Sequence, residues 1–210
     1  MMTLALSRRR LLTLSTAALG FAALGARAEG ALDPAAARVQ AFYDVLLTCM
    51  KQAQDLGVHG RFEKLAPAVR ETFDLSTMTR VACGPSWAKM PPEKQQALVA
   101  AFERMTAATY ANQFNDYKGQ RFVVDPKPVP RNADMIVHSR LIPADGDPVV
   151  FNYLLRGAGS NWRVEDVYLD GTISQLAVRR SEFSAILTSD GPDGLLAKLA
   201  SQSDNLLKGA

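Results

Sequence analysis

Few side chains in this sequence are of types and spacings that could do covalent chemistry. Cys83-Gly84-Pro85-Ser86-Trp87 has the outline of a cysteine-protease signature, but serine holds the nucleophile position and no histidine follows at the required distance. The only histidines, His59 and His138, are far apart in the chain. Cys49 and Cys83 have no metal-ligating company within a few residues, so neither a metal nor a cofactor is expected. In an oxidising compartment a bridge between them would add roughly 3.5–4 kcal/mol in the chain-entropy model. Two buried free thiols are the alternative. One carboxylate could act as a general base inside an apolar pocket, Asp166 in Trp162-Arg163-Val164-Glu165-Asp166-Val167. That reading makes the protein a small periplasmic enzyme for an apolar substrate. The competing reading makes Asp166 a turn or cap acceptor.

The elements that would position these residues fall into a helical half, a strand-rich stretch and a helical return. Apolar residues at helical spacing run from Arg38 to Leu56, where Gly57 ends the pattern. A second helix spans His59 to Glu71, with Pro67 expected to kink or break it. Asp74 caps a third, Leu75 to Cys83, stopped by Gly84-Pro85. Pro91-Pro92-Glu93 opens the longest helix, which carries Phe102, Met105, Tyr110 and Phe114 and is expected to reach about Tyr117. Alternating segments follow at Gln120 to Asp125, Asp134 to Ile142, Pro148 to Arg156 and Asn161 to Asp170. Short loops between the last three predict an antiparallel meander. Helices at Ile173 to Leu187 and Pro192 to Leu207 complete an α+β fold, with one antiparallel sheet of about four strands packed against a helical cluster.

Within the last strand the alternation breaks. Trp162 and Val164 share one parity, whereas Val167 and Leu169 share the other. Either a bulge near Glu165-Asp166 bends the sheet, or both faces are partly covered.

The chain opens on the features of an export leader, residues 1–28. Arg8-Arg9-Arg10 precedes an apolar run from Leu11 to Leu24 and a small-x-small site, Ala26-Arg27-Ala28. The arginines suit either a twin-arginine or a general secretory route. The remaining residues, 29–210, are long enough for a single domain with its own core. Four of the 24 basic residues and none of the 21 acidic ones lie in the leader, so the remainder carries a net charge near −1. That balance offers nothing to nucleic acid or to an anionic surface through bulk electrostatics.

Four stretches, met in order from about residue 38 to residue 205, resemble the MlaC family of periplasmic phospholipid-binding proteins, also called toluene-tolerance auxiliary proteins. Phe73-Asp74, Met78, Cys83-Gly84 and Trp87 are similar to that family's F-D-x-x-x-M and L-G-x-x-W patterns. Pro92-Glu93-Lys94-Gln95, Phe102, Tyr110 and Tyr117 follow its spacing on the long helix. Val150-Phe151-Asn152-Tyr153 and the segment from Trp162 to Val167 resemble V-x-Y and W-x-V-x-D-V. Asp170-Gly171-Thr172-Ile173-Ser174 and Arg180-Ser181-Glu182-Phe183 resemble E-G-V-S and R-S-Q-F, with one extra residue at about Thr172. That variant resembles the hopanoid-associated branch, HpnM.

The resemblance implies a curved sheet and helices enclosing an apolar lipid cavity, and a shuttle that carries a phospholipid or hopanoid-type lipid between the inner and outer membranes. Its implied partners are an inner-membrane lipid transporter complex and an outer-membrane lipoprotein assembly. Tyr153, matching the V-x-Y tyrosine, and Ile173, beside the E-G-V-S turn, are the expected lipid-binding residues, together with Phe151, Leu155, Phe102, Tyr110 and Val137. Any one of these side chains could equally belong to an ordinary core.

Overall fold

The computed structural model describes residues 32–208. The expected export leader, residues 1–28, lies outside the described residues.

Helix α1, Pro34–Lys51, starts where the Asp33 side chain accepts from the Ala35 amide, and Pro34 takes the first turn, where no N–H is needed. It ends at Gln52, earlier than the apolar spacing predicts. Helix α2, Ala53–Thr72, follows at once and contains a non-helical Gly57 at φ 56°. The expected stop at Gly57 is thus a kink inside a second helix. Pro67 does not break α2, whose backbone stays helical there. It and Glu63, four residues earlier, are both exposed, so the carbonyl that Pro67 leaves unbonded can be hydrated. Arg61, 7 % exposed, donates to the carbonyls of Ala53 and Ala111 at 2.8 Å each and ties α2 to the end of the long helix.

Asp74 caps α3, Leu75–Cys83, by accepting from the Thr77 amide, and Gly84 ends that helix at φ 57°. A 3₁₀ turn, Gly84–Lys89, leads to α4, Pro92–Gln113. The long helix stops four residues before Tyr117, whose ring instead sits 5.4 Å from the Lys51 ammonium.

The sheet contains β1 (Arg121–Val124), β2 (Val129–Arg131), β3 (Asp134–Ile142), β4 (Val149–Arg156), β5 (Arg163–Leu169) and β6 (Ile173–Ser174). All pairings between these strands are antiparallel, in the order β1-β3-β4-β5-β6, with β2 also on β3. The meander β3-β4-β5 is as expected. β2 and β6 were not legible: one is three exposed residues around Pro130, which only an edge tolerates, and the other is two residues long.

The broken alternation in β5 is a bulge. Leu154 pairs with Asp166 and Leu155 with Val164, so Glu165 is extra. Past it, Val167 pairs with Tyr153 and Leu169 with Phe151, which brings Val164, Val167 and Leu169 onto one face.

Helices α5, Gln175–Ser189, and α6, Gly191–Leu207, close the fold, α6 packing along α4 and α5 against α3 and β5. The α+β architecture is the expected one. Cys49 and Cys83 are buried free thiols, the unbridged alternative, and burial pushes the Cys83 thiol up to about 11. Among the described residues, no helix is long and apolar enough to cross a membrane.

Candidate functional site: an apolar cavity between the long helix and the sheet

One stripe of α4 faces inward: Phe102, Met105, Thr106, Thr109, Tyr110 and Gln113, at the three- and four-residue steps of a single helical face. Opposite it stand Phe122 of β1, Phe151 and Tyr153 of β4, and Val167 and Leu169 of β5. Between them is a space of about 340 Å³, within the range of small-molecule pockets. Tyr43 and Leu46 of α1, Phe73 and Met78 close one side, and Gln175, Leu176 and Arg179 of α5 close the other.

Aromatic rings form the rigid part of the wall. Tyr43 stacks on Phe122 at 4.2 Å and meets Tyr153 edge-on at 5.8 Å, while Tyr110 stacks on Phe114 at 5.9 Å. The Tyr43 hydroxyl shares a 2.7 Å hydrogen bond with Ser139, which donates in turn to the Phe151 carbonyl. Burial pushes the Tyr43 phenol up to about 12 and raises those of Tyr110 and Tyr153 as well. These phenols are neutral at physiological pH. The two threonines of the stripe are satisfied within their own helix, Thr106 donating to Phe102 and Thr109 to Met105, each at 2.8 Å. They need no partner from the cavity. Arg179 is the single charged side chain among the described residues that line it.

Of the residues expected from sequence, the structure brings Phe102, Tyr110, Phe151 and Tyr153 to this space and leaves three elsewhere. Leu155 shares the inward face with Tyr153 but pairs with Val164 at the bulge, and it is fully buried core rather than part of the wall. Val137 is also fully buried, on the part of β3 that α1 covers through Tyr43 and Ser139. Ile173 is 50 % exposed, because β6 is the outermost strand and Gln175 and Leu176 close the wall in its place.

Tyr43, Phe122, Val167, Leu169 and the start of α5 also line the space, although the sequence does not mark them out for it. One signal was available: Thr106, Thr109 and Gln113 interrupt an inward stripe that a filled core would keep apolar.

The candidate general base is structural. Asp166, 5 % exposed, accepts from the Ser174 hydroxyl at 2.6 Å, from the Leu176 amide at 3.0 Å and from the Val167 amide at 2.8 Å. Its carboxylate holds the first turn of α5 against β5 and lines no part of the cavity. Asp166→Ala is expected to lower unfolding free energy by about 1–3 kcal/mol, read from urea denaturation. A loss near zero would mean that α5 is anchored some other way. Neither histidine reaches the cavity: His138 shares a 2.9 Å hydrogen bond with Asn152 across the strands, and His59 is exposed on α2.

A sequence model of the MlaC protein family matches residues 40–201. The toluene tolerance protein Ttg2D of Pseudomonas putida is 27% identical over 125 residues, which cover 56% of this chain and 58% of that relative. The chain thus spans little more than half the length of this curated relative. A phospholipid-binding protein from Ralstonia solanacearum, solved in complex with a phospholipid, superposes with a TM-score of 0.70 at 22% identity, covering 82% of this chain and 98% of that one.

Proposed function

Because the chain belongs to the MlaC protein family, we propose that its cavity holds the acyl part of one membrane lipid and that the protein carries this lipid between the two membranes of the cell envelope. The observation that carries this reading is the cavity, a space of about 340 Å³ walled by aromatic and aliphatic side chains with one charge. A filled core would leave no such space, since interiors pack to the density of organic crystals. The phospholipid held by the Ralstonia solanacearum relative supports the same use here.

Energetics favour carriage over capture. Each methylene withdrawn from water gains about 0.8 kcal/mol, but a bilayer already provides that shelter, so transfer into the protein is nearly balanced. Partners that accept or donate lipid then set the direction. In this reading the partners are an inner-membrane lipid transporter complex and an outer-membrane lipoprotein assembly. The protein works in the periplasm, reached through the leader at residues 1–28, as a single domain of residues 29–210.

The extra residue near Thr172 supports a finer assignment to the hopanoid-associated branch. It lies in the β5–β6 turn, where Asp170 and Gly171 take positive φ and the Thr172 amide bonds the Leu169 carbonyl at 3.3 Å. An insertion there leaves the cavity wall in register.

Chloroform–methanol extraction of the purified protein is expected to release one lipid per chain, identified by mass spectrometry. Protein that yields no lipid, and takes none from labelled vesicles, would end the carrier reading. Turnover of a lipid analogue would revive the enzyme.

A further inference from the structure

A second space, a groove of about 480 Å³ between α4, α5 and α6, adjoins the cavity, and Met105, Thr109 and Arg179 line both. Its remaining wall is Asn112, Gln202, Asn205 and Leu206. The lining therefore changes from aromatic and aliphatic to carboxamide, and Arg179 stands at the change.

Among the described lining residues of the two spaces, Arg179 is the only charged one. One of its nitrogens, Nη1, donates to Glu182 Oε2 at 2.7 Å in an i,i+3 pair, with the two side chains 29% and 46% exposed. A guanidinium carries five N–H donors, so one such bond leaves most of its fork for another acceptor. A phosphate diester matches that fork, accepting two parallel charge-assisted hydrogen bonds. An amphiphile whose chains fill the cavity would bring its phosphate to the point where the apolar lining stops.

Beyond Arg179, the groove offers carboxamides and no carboxylate. Asn112 is held in place by donating to the Leu206 carbonyl at 3.1 Å. Carboxamides both donate and accept, which suits hydroxyl groups, and the one carboxylate beside Arg179, that of Glu182, is already paired with it.

We propose that Arg179 binds the phosphate of the cargo lipid and that the groove between α4 and α6 receives an uncharged, hydroxyl-bearing headgroup of the glycerol type. Arg179 then sets lipid class, favouring a phospholipid over a phosphate-free lipid of equal apolar bulk, a hopanoid included, so the branch assignment does not fix the cargo. This inference rests on the carrier reading and goes beyond it by naming the headgroup chemistry.

The test offers the whole protein vesicles containing equal parts of phosphatidylglycerol, phosphatidylethanolamine and diacylglycerol with matched chains. The protein is then repurified and its bound lipids quantified. The native chain is expected to take phosphatidylglycerol over diacylglycerol by roughly tenfold, the scale of one charge-assisted hydrogen bond. Arg179→Gln should bring that ratio close to one. Glu182→Gln, which frees Nη1, should raise it. A double change, Gln202→Ala with Asn205→Ala, should abolish preference between the two phospholipids while keeping that over diacylglycerol. The ratio is the readout, so a variant with lower total loading is still informative. Lipid on every variant with the native ratio would overturn the headgroup assignment and leave the carrier intact. An empty native protein would overturn both.

Discussion

Leu169→Glu is expected to give a folded protein that carries no lipid, whereas Ile173→Glu is expected to give one that carries its full load. The two residues are paired across β5 and β6, four positions apart in the chain. Leu169 lines the cavity and is half-buried; Ile173 lies on the edge strand with half its surface in water. A carboxylate at 169 would sit among acyl chains, where burying an unpaired polar group costs on the order of 2–7 kcal/mol and a charge more. Lipid occupancy should fall more than tenfold. The fold can survive because the empty cavity admits water, which a packed core does not. At 173 the same carboxylate is hydrated and costs almost nothing. Occupancy is read by organic extraction of protein repurified after mixing with vesicles, and folding by circular dichroism. A loaded Leu169→Glu protein would mean that acyl chains lie elsewhere, and an empty Ile173→Glu protein would mean that the wall extends to the sheet edge.

Deletion of Glu165 should leave the sheet in register. Glu165 is the extra residue of the bulge, so without it Val164, Asp166 and Val167 follow in strict alternation, and the pairs Leu155–Val164, Leu154–Asp166 and Tyr153–Val167 are kept. Val164, Val167 and Leu169 all stay on the inner face, and what is lost is the local bend that the bulge gives the sheet. The deletion variant is therefore expected to be folded, with a loss that is small against a total stability of about 5–15 kcal/mol. Glu165→Ala is the control, because it keeps the extra residue. Its ion pair with the exposed Arg156, at 3.3 Å, is outweighed by the burial that raises the Glu165 carboxyl above its ordinary value. Removing the side chain alone should therefore cost under about 1 kcal/mol. Thermal or urea unfolding of the two variants side by side decides the point. A deletion variant that fails to fold would mean that the bend at the bulge, and not only the register, holds β5 to its neighbours.

The sequence by itself determined the helices and the four longer strands, in their order. Asp33, Asp74 and Gly84 act locally, within one helical turn, so caps and stops could be read from neighbouring residues. The parity break around Glu165 was equally visible, because a two-residue period needs only a handful of positions to show a slip. Where local signals competed with packing, the sequence alone was insufficient. Pro67 is tolerated because its face of α2 is exposed, and β2 exists because β3 offers it an edge.

The cavity belongs to the tertiary structure. Phe151, Tyr153 and Leu155 occupy one strand face with the same apolar character, yet two line the space and the third is core. What separates them is their place along β4: Leu155 lies at the bulge, paired with Val164 and fully buried, whereas the inward stripe of α4 stands across the space from the other two. An unfilled volume is a property of what neighbouring elements fail to occupy. No residue carries that information alone, and so the sequence determined the fold class while the packing of α4 over β4 and β5 decided where a lipid can lie.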